Sequence, residues 1–250
     1  MLLSLQLFSA RNYTPYTDVI ARLGTYGFDA AEAFFGNFAE ADATRAALDA
    51  AGMKMPTAHV PLDMFEKDAE GVADLCQQLG VKRAFAPWLS ADEQPKDAAG
   101  WAALGARLAA CHADMAKHGI AFGWHNHDFE ITPLADGQIP MEILLDTAPM
   151  IDWEADIAWI VRGGGDPIQW IEKYGSRIVA AHFKDLAPKG EKLDEDGWAD
   201  AGTGTMDWPA ILGALKAHSR CEILVAEHDN PNDFDRFAKQ AAATFKALGA

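Results

Sequence analysis

One pattern recurs along this 250-residue chain and restricts its fold more than any other: a helical stretch, a glycine, then a short strand-like run. It occurs at Tyr26-Gly27-Phe28, Ala51-Gly52-Met53, Leu79-Gly80-Val81, His118-Gly119-Ile120 and Tyr174-Gly175-Ser176. A glycine just past a helix end takes the left-handed conformation that closes the helix and turns the chain into the next strand. Junctions of this kind predict alternating helices and strands, and hence a parallel sheet. The pattern places strands over residues 2–8, 28–34, 54–59, 83–86, 120–124, 150–155, 178–181 and 222–226. Helices are expected over 15–26, 40–51, 63–79, 94–117, 141–146, 167–173, 208–217 and 231–248. Apolar stripes at helical spacing support them, as with Val72, Leu75, Cys76 and Leu79, or Leu104, Leu108, Cys111 and Met115.

Strict alternation of this length closes naturally into a (β/α)8 TIM barrel, expected as one α/β domain over residues 1–250. An open doubly wound sheet would carry a glycine-rich phosphate loop after its first strand, and Ser9-Ala10-Arg11-Asn12-Tyr13 is not one. Gly163-Gly164-Gly165 does not match that fingerprint either. With 37 acidic against 21 basic residues the formal charge is -16, which disfavours nucleic acid and anionic membranes as partners. No apolar run approaches the ~20 residues of a spanning helix. The N-terminus lacks the basic region of a signal peptide, and Cys76, Cys111 and Cys221 show no metal-knuckle or paired spacing. The expected location is cytoplasmic.

In such a barrel the chemistry sits at the C-terminal strand ends. There the chain offers Gln6, Glu32, His59, then Trp88 beyond Pro87, then His125 and His127, Asp156, His182 with Lys184, and Glu227 with His228 and Asp229. Each has an ordinary structural explanation alone: Asp156 as a turn cap, His182 as a core histidine, Glu227 as the partner of Lys184 or Arg162. Carboxylates and imidazoles on four consecutive strands over an apolar barrel are costly unless paired or metal-bound. One His, one Asp, one His and one Glu suit a divalent cation such as Mn²⁺, Zn²⁺, Co²⁺ or Mg²⁺.

Several segments together carry a resemblance. They include Gln6-Leu7-Phe8-Ser9-Ala10-Arg11, Gly27-Phe28-Asp29-Ala30-Ala31-Glu32 and Thr57-Ala58-His59-Val60-Pro61-Leu62. Further along come His125-Asn126-His127-Asp128-Phe129-Glu130, Ala155-Asp156-Ile157-Ala158-Trp159, His182-Phe183-Lys184-Asp185 and Ala226-Glu227-His228-Asp229. In their order and spacing the chain resembles the sugar phosphate isomerase/epimerase family with the xylose isomerase-like barrel. That family includes inosose and hydroxypyruvate isomerases, ketose 3-epimerases and endonuclease IV. The resemblance implies a metal held by residues of the last four strands, where Asp156, His182 and Glu227 match the usual Asp, His and Glu. The fourth position departs, because His125 stands where a glutamate is usual.

The resemblance further implies isomerisation or epimerisation of a sugar or polyol derivative by proton transfer through a metal-stabilised enediolate. Glu227 and either His125 or His127 are then the expected acid/base groups, and His125, Asp156, His182 and Glu227 the expected ligands. Glu32, His59, Lys184 and Arg162 are expected to bind substrate. A lyase or dehydratase acting on a keto-sugar or inositol derivative is the alternative, followed by a carbohydrate-binding barrel without turnover. Endonuclease-like action on DNA fits an acidic chain poorly. A homo-oligomer stays open. The long segment 185–207, rich in Gly and charge, is expected to cover the site.

Overall fold

The computed structural model describes all 250 residues. Its strands are β1 (Leu2–Leu5), β2 (Ala30–Phe34), β3 (Lys54–His59), β4 (Arg83–Ala86), β5 (Ala121–His125), β6 (Asp152–Asp156), β7 (Ile178–Phe183), β8 (Asp185–Leu186), β9 (Trp198–Ala199) and β10 (Ile223–Ala226). The helices are α1 (Tyr16–Tyr26), α2 (Ala41–Ala51), α3 (Leu62–Lys67), α4 (Ala69–Leu79), α5 (Ala98–Lys117), α6 (Pro140–Thr147), α7 (Ile157–Arg162), α8 (Pro167–Tyr174), α9 (Trp208–His218) and α10 (Phe234–Leu248). Eight strands pair in the order β1-β10-β7-β6-β5-β4-β3-β2, all parallel, while β8 and β9 form a small antiparallel hairpin of their own.

The seam between β1 and β2 closes the sheet into a barrel. Gln6 bridges to Glu32, and the Gln6 side-chain amide donates to Glu32 Oε1 at 2.8 Å. Below it the Leu3 N–H donates to Asp29 Oδ2 at 2.9 Å and the Asp29 N–H to the Leu3 carbonyl at 3.0 Å. Side chains alternate along each strand, so every second residue points into the barrel. At the N-terminal end this interior is apolar: Leu2, Ala180, Ile223 and Val225 pack together apart from the main core between strands and helices. Towards the C-terminal end the same faces turn polar with Gln6, Glu32, Glu154 and His182, all fully buried.

The glycine punctuation holds at Gly27, Gly52 and Gly80, each the left-handed cap of its helix. Gly175 differs: its φ is -55°, and the residue is glycine because a Cβ would collide with the His218 backbone carbonyl. Three element expectations also change. The helix over 63–79 breaks at Asp68, whose carboxylate accepts the Gly71 N–H at 2.9 Å and starts α4 afresh. The first strand ends at Leu5, since Gln6 Oε1 accepts the Phe8 N–H at 3.0 Å and begins a 3-10 turn over Leu7–Ala10. The unexpected α7 starts directly at the end of β6, where Asp156 Oδ1 accepts the Trp159 N–H at 2.9 Å.

Gly123 on β5 has no room for a side chain: a Cβ would meet the Asp152 carbonyl and stand 2.8 Å from the Phe85 ring. Gly123→Ala is expected to lower the unfolding free energy by ~1–3 kcal/mol, the usual cost of overpacking, as read from urea titrations.

Candidate functional site

Alternation on the strands delivers the polar groups in pairs. On β6 it places Glu154 and Asp156 on one inward face, on β7 His182 and then Lys184, and beyond β5 and β10 His127 and Glu227. Potential ligand atoms of His125, Asp156, His182 and Glu227 all lie within 4.8 Å of one another. His182 Nδ1 is 2.9 Å from Glu227 Oε2 and 3.7 Å from Asp156 Oδ2. A second set of His59, His125, Glu154 and His182 meets the same limit deeper in the barrel. The two share His125 and His182, and in each a carboxylate is engaged by a ring, Glu154 Oε2 by His59 Nε2 at 2.5 Å and Glu227 Oε2 by His182 Nδ1. The upper set also reaches solvent, because His125 and Glu227 line the cavity above it.

The upper donors fit a divalent cation of borderline softness, two imidazoles and two carboxylates from four strands. Buried atoms without hydrogen-bond partners gather in the same volume, namely His125 Nδ1, His127 Nδ1, Glu32 Oε2 and Glu154 Oε1. Such groups are costly unless something pairs with them. Asn126 fixes the frame. Its Oδ1 accepts from the Asp156 N–H at 3.0 Å and from Trp153 Nε1 at 2.9 Å, and its amide donates to the Asp156 carbonyl at 3.1 Å.

Lys184 completes the site. Its ammonium, fully buried, lies 2.7 Å from Asp229 Oδ2, 3.0 Å from Glu227 Oε2 and 3.5 Å from Asp156 Oδ2. Burial pulls its pKa down, but the three carboxylates outweigh burial and hold it above the ordinary lysine range. Burial also works to raise Glu227, yet Lys184 and His182 hold it well below the usual carboxylate range, so it is ionised. Asp156 is raised by burial against the pull of Lys184, and Asp229 is raised by burial to about 6.

Beneath them Glu32 and Glu154 face the imidazoles from below. Glu32 Oε1 lies 3.1 Å from His182 Nε2 and 3.2 Å from His59 Nε2. Burial and then the charge of Glu154 push Glu32 up to about 7. Glu154 resists burial and is held well down by His182 and His59. His182 is correspondingly raised well above the histidine range despite burial, by Glu227 and Glu154. His125 goes the other way, held down to about 3 by burial and by the charge of His182. His127 is likewise kept neutral by burial and by His125. Glu130 fixes the backbone at His127, accepting the His127 N–H and Trp124 Nε1, each at 2.9 Å.

Next to the site His228 is fully buried, and burial holds its pKa down to about 4. Its Nδ1 accepts the Asn230 N–H at 3.2 Å, so the folded ring is neutral. An unfolded histidine titrates near ~6.5, so this stability is present above that pH and is lost as pH falls toward 4, by ~3 kcal/mol in all. His228→Asn is expected to flatten the pH dependence of unfolding between those limits, as measured by urea titration of both proteins.

The structure thus brings His125, His127, His182, Asp156, Glu227, His59 and Glu32 together, but not all as sequence suggested. Glu32 has no exposed surface and reaches only other protein groups. Lys184 is spent on carboxylates rather than facing the cavity. Arg162 stands outside: its guanidinium packs 3.4 Å from the Trp198 ring centroid and donates to the Asp196 carbonyl at 3.0 Å. The segment 185–207 contributes no residue to the cavity wall; it folds as the β8–β9 hairpin and backs Trp159 with Trp198, ring centroids 4.8 Å apart. Glu154 and Asn126 are residues that the strand-end reading passed over, and Asp229, present in it, was given no role there. Above the polar floor opens a cavity of about 730 Å³, with His59, His125, His127, Glu227 and Asp229 at its base.

No curated protein sequence matches the chain. Its fold is shared by a sugar phosphate isomerase/epimerase from Parabacteroides distasonis, at 19% identity and TM-score 0.82, covering 98% of this chain and 93% of that one. It is shared by the IOLI protein, solved with a zinc atom, at 17% identity and TM-score 0.78, covering 100% and 96%. A probable 3-DHS dehydratase from Bacillus anthracis has it too, at 15% identity and TM-score 0.76, covering 98% and 99%. The family profile described as xylose isomerase-like TIM barrel matches residues 20–248. With that match running from α1 to the end of α10, over a barrel whose polar groups gather at the C-terminal strand ends, the chain belongs to the xylose isomerase-like TIM barrel family.

Proposed function

We propose that the protein is an isomerase or epimerase of a sugar or sugar derivative that moves a proton on the carbon beside a carbonyl, using a divalent cation. The observation that carries this reading is the convergence of His125, Asp156, His182 and Glu227 directly below an open cavity. A bound cation would supply Lewis-acid polarisation of the carbonyl oxygen, and the zinc in a barrel of the same fold supports that choice. The ionised Glu227 faces the cavity and is the group that takes the carbon-bound proton. His127, neutral and across β7 and β6 from Glu227, is placed to return or receive a proton on a different side of the ligand. Glu32 and Glu154 set the ring of His182 through its Nε2, leaving Nδ1 aimed at the upper set. Phe129, stacked on His127, and Trp159, tilted against it, limit water at the reacting carbon.

The test is deuterium uptake from solvent at carbon, followed by NMR over a panel of ketoses and keto-sugars with Mn²⁺-loaded protein. His127→Asn is expected to slow uptake ~100-fold, the lower end for loss of one general acid/base. No uptake from any panel member by the loaded protein overturns the reading. A lyase begins with the same proton abstraction, and a dehydratase with this fold supports keeping it as the second reading. An unsaturated product in the same assay identifies it.

A further inference from the structure

The cavity is larger and more apolar than a simple sugar needs. Its 730 Å³ falls within the ~300–1,000 Å³ typical of sites for drug-sized ligands, and a free monosaccharide fills a minor part of it. Most of its polar groups sit at the base, with Gln94 and Asp128 higher up, and six aromatic side chains line the walls. Phe8 and Phe35 follow β1 and β2, and Phe34 ends β2. Phe129 and Trp159 follow β5 and β6 and therefore stand diametrically across the barrel from that group. Trp88, beyond β4, completes the rim. Phe34 packs edge-on against Phe8 and Phe35 at 5.6 and 5.8 Å, so the three rings form one continuous wall. Phe8, Phe35 and Trp88 are 37%, 53% and 53% exposed, an aromatic rim held open to water. Contiguous exposed aromatic surface of this sort marks a binding site.

Charge points the same way. No lysine or arginine lines the cavity, whereas Asp128, Glu227 and Asp229 do. The nearby cations are engaged: Lys184 by three carboxylates, Arg162 on Trp198, and Arg11 on the Phe8 ring and carbonyl. Barrels of this class that bind phosphate commonly seat it on free backbone amides after the last two strands. Here the helix starts after β7 and β10 are closed by side chains: Asp207 accepts the Ala210 N–H and Asp233 the Arg236 N–H. Away from the metal-ligand set, a phosphate dianion would meet carboxylates and no free side-chain cation.

We infer that the ligand is a neutral glycoside carrying a ketone on its ring, so that a carbonyl remains although the anomeric carbon is locked as an acetal; the sugar ring rests on the polar base and an aromatic or similarly flat apolar substituent lies between the aromatic walls. A sugar phosphate is the wrong class for this cavity. The inference rests on the proposed function only for where the sugar ring sits, and its test needs no turnover. Binding to the metal-loaded protein is measured by calorimetry for 4-nitrophenyl and methyl β-glycosides of glucose, galactose and xylose, and for the 6-phosphates of the two hexoses. At least one 4-nitrophenyl glycoside is expected to bind on the order of tenfold more tightly than its methyl partner, the contribution of one stacked ring. Phe35→Ala with Trp88→Ala, both at exposed positions, is expected to bring that ratio below about threefold. If no aryl member outbinds its methyl partner, or a 6-phosphate binds as tightly as the neutral sugar, the inference is overturned. Aryl preference without proton exchange would retain it and remove only the proposed reaction.

Discussion

Glu227→Gln is expected to lower carbon–proton exchange by ~10³–10⁴-fold, about 4–5 kcal/mol of transition-state stabilisation. The amide keeps the shape of the side chain but cannot accept the carbon-bound proton. It also removes one charge from the ligand set around His182 Nδ1. Folding is expected to survive, because Lys184 keeps Asp156 and Asp229 as partners. A rate within tenfold of wild type, with the cation still bound, would move the base to another residue.

The second large effect concerns stability. Lys184→Met leaves Asp156, Glu227 and Asp229 mutually exposed inside the barrel, and breaking a buried ion pair costs ~3–5 kcal/mol. The loss has a definite pH sign. Without the ammonium these buried carboxylates have folded pKa values above their unfolded ones, so the penalty is full at neutral pH and fades as pH falls toward ~4. In the native protein the raised Lys184 contributes stability that persists below the ordinary lysine pKa and is lost only as pH rises past its folded value. A divalent cation held by the proposed ligands would neutralise two of the same carboxylates, Asp156 and Glu227. Added Mn²⁺ at a hundred times its dissociation constant is therefore expected to return ~2.7 kcal/mol to the variant in thermal or urea unfolding. A variant as stable as wild type without metal would show that the triad is not an ionic cluster.

How much of this was legible in sequence follows from what each signal measures. Residues 54–59 and 83–86 are strands to the residue, because a helix-closing glycine (Gly52, Gly80) precedes each and a proline (Pro61, Pro87) follows it, which leaves little freedom at either end. The converging set of His125, Asp156, His182 and Glu227 was also readable, since barrel topology alone brings strand ends together. Glu154 escapes a reading that takes polar residues only at and beyond the strand ends. The period-two run Asp152-Trp153-Glu154-Ala155-Asp156 carries the signal, for it puts Glu154 on the face of Asp156 one layer deeper. Arg162 lay in sequence six residues past Asp156, and only the tertiary path of α7 shows that it turns outward onto Trp198. The segment 185–207 offered no periodicity to read. What anchors it is the Asp185 carboxylate, which accepts the Leu186, Gly202 and Met206 N–H groups, a local cage invisible to pattern.

The account turns on a cation at the strand ends, and anomalous diffraction from crystals soaked in manganese examines that directly. One anomalous peak enclosed by His125, Asp156, His182 and Glu227 is predicted in the wild-type protein, and none there in Asp156→Ala. A map with no peak at that position, or a peak that persists unchanged in Asp156→Ala, would contradict the metal-centred account.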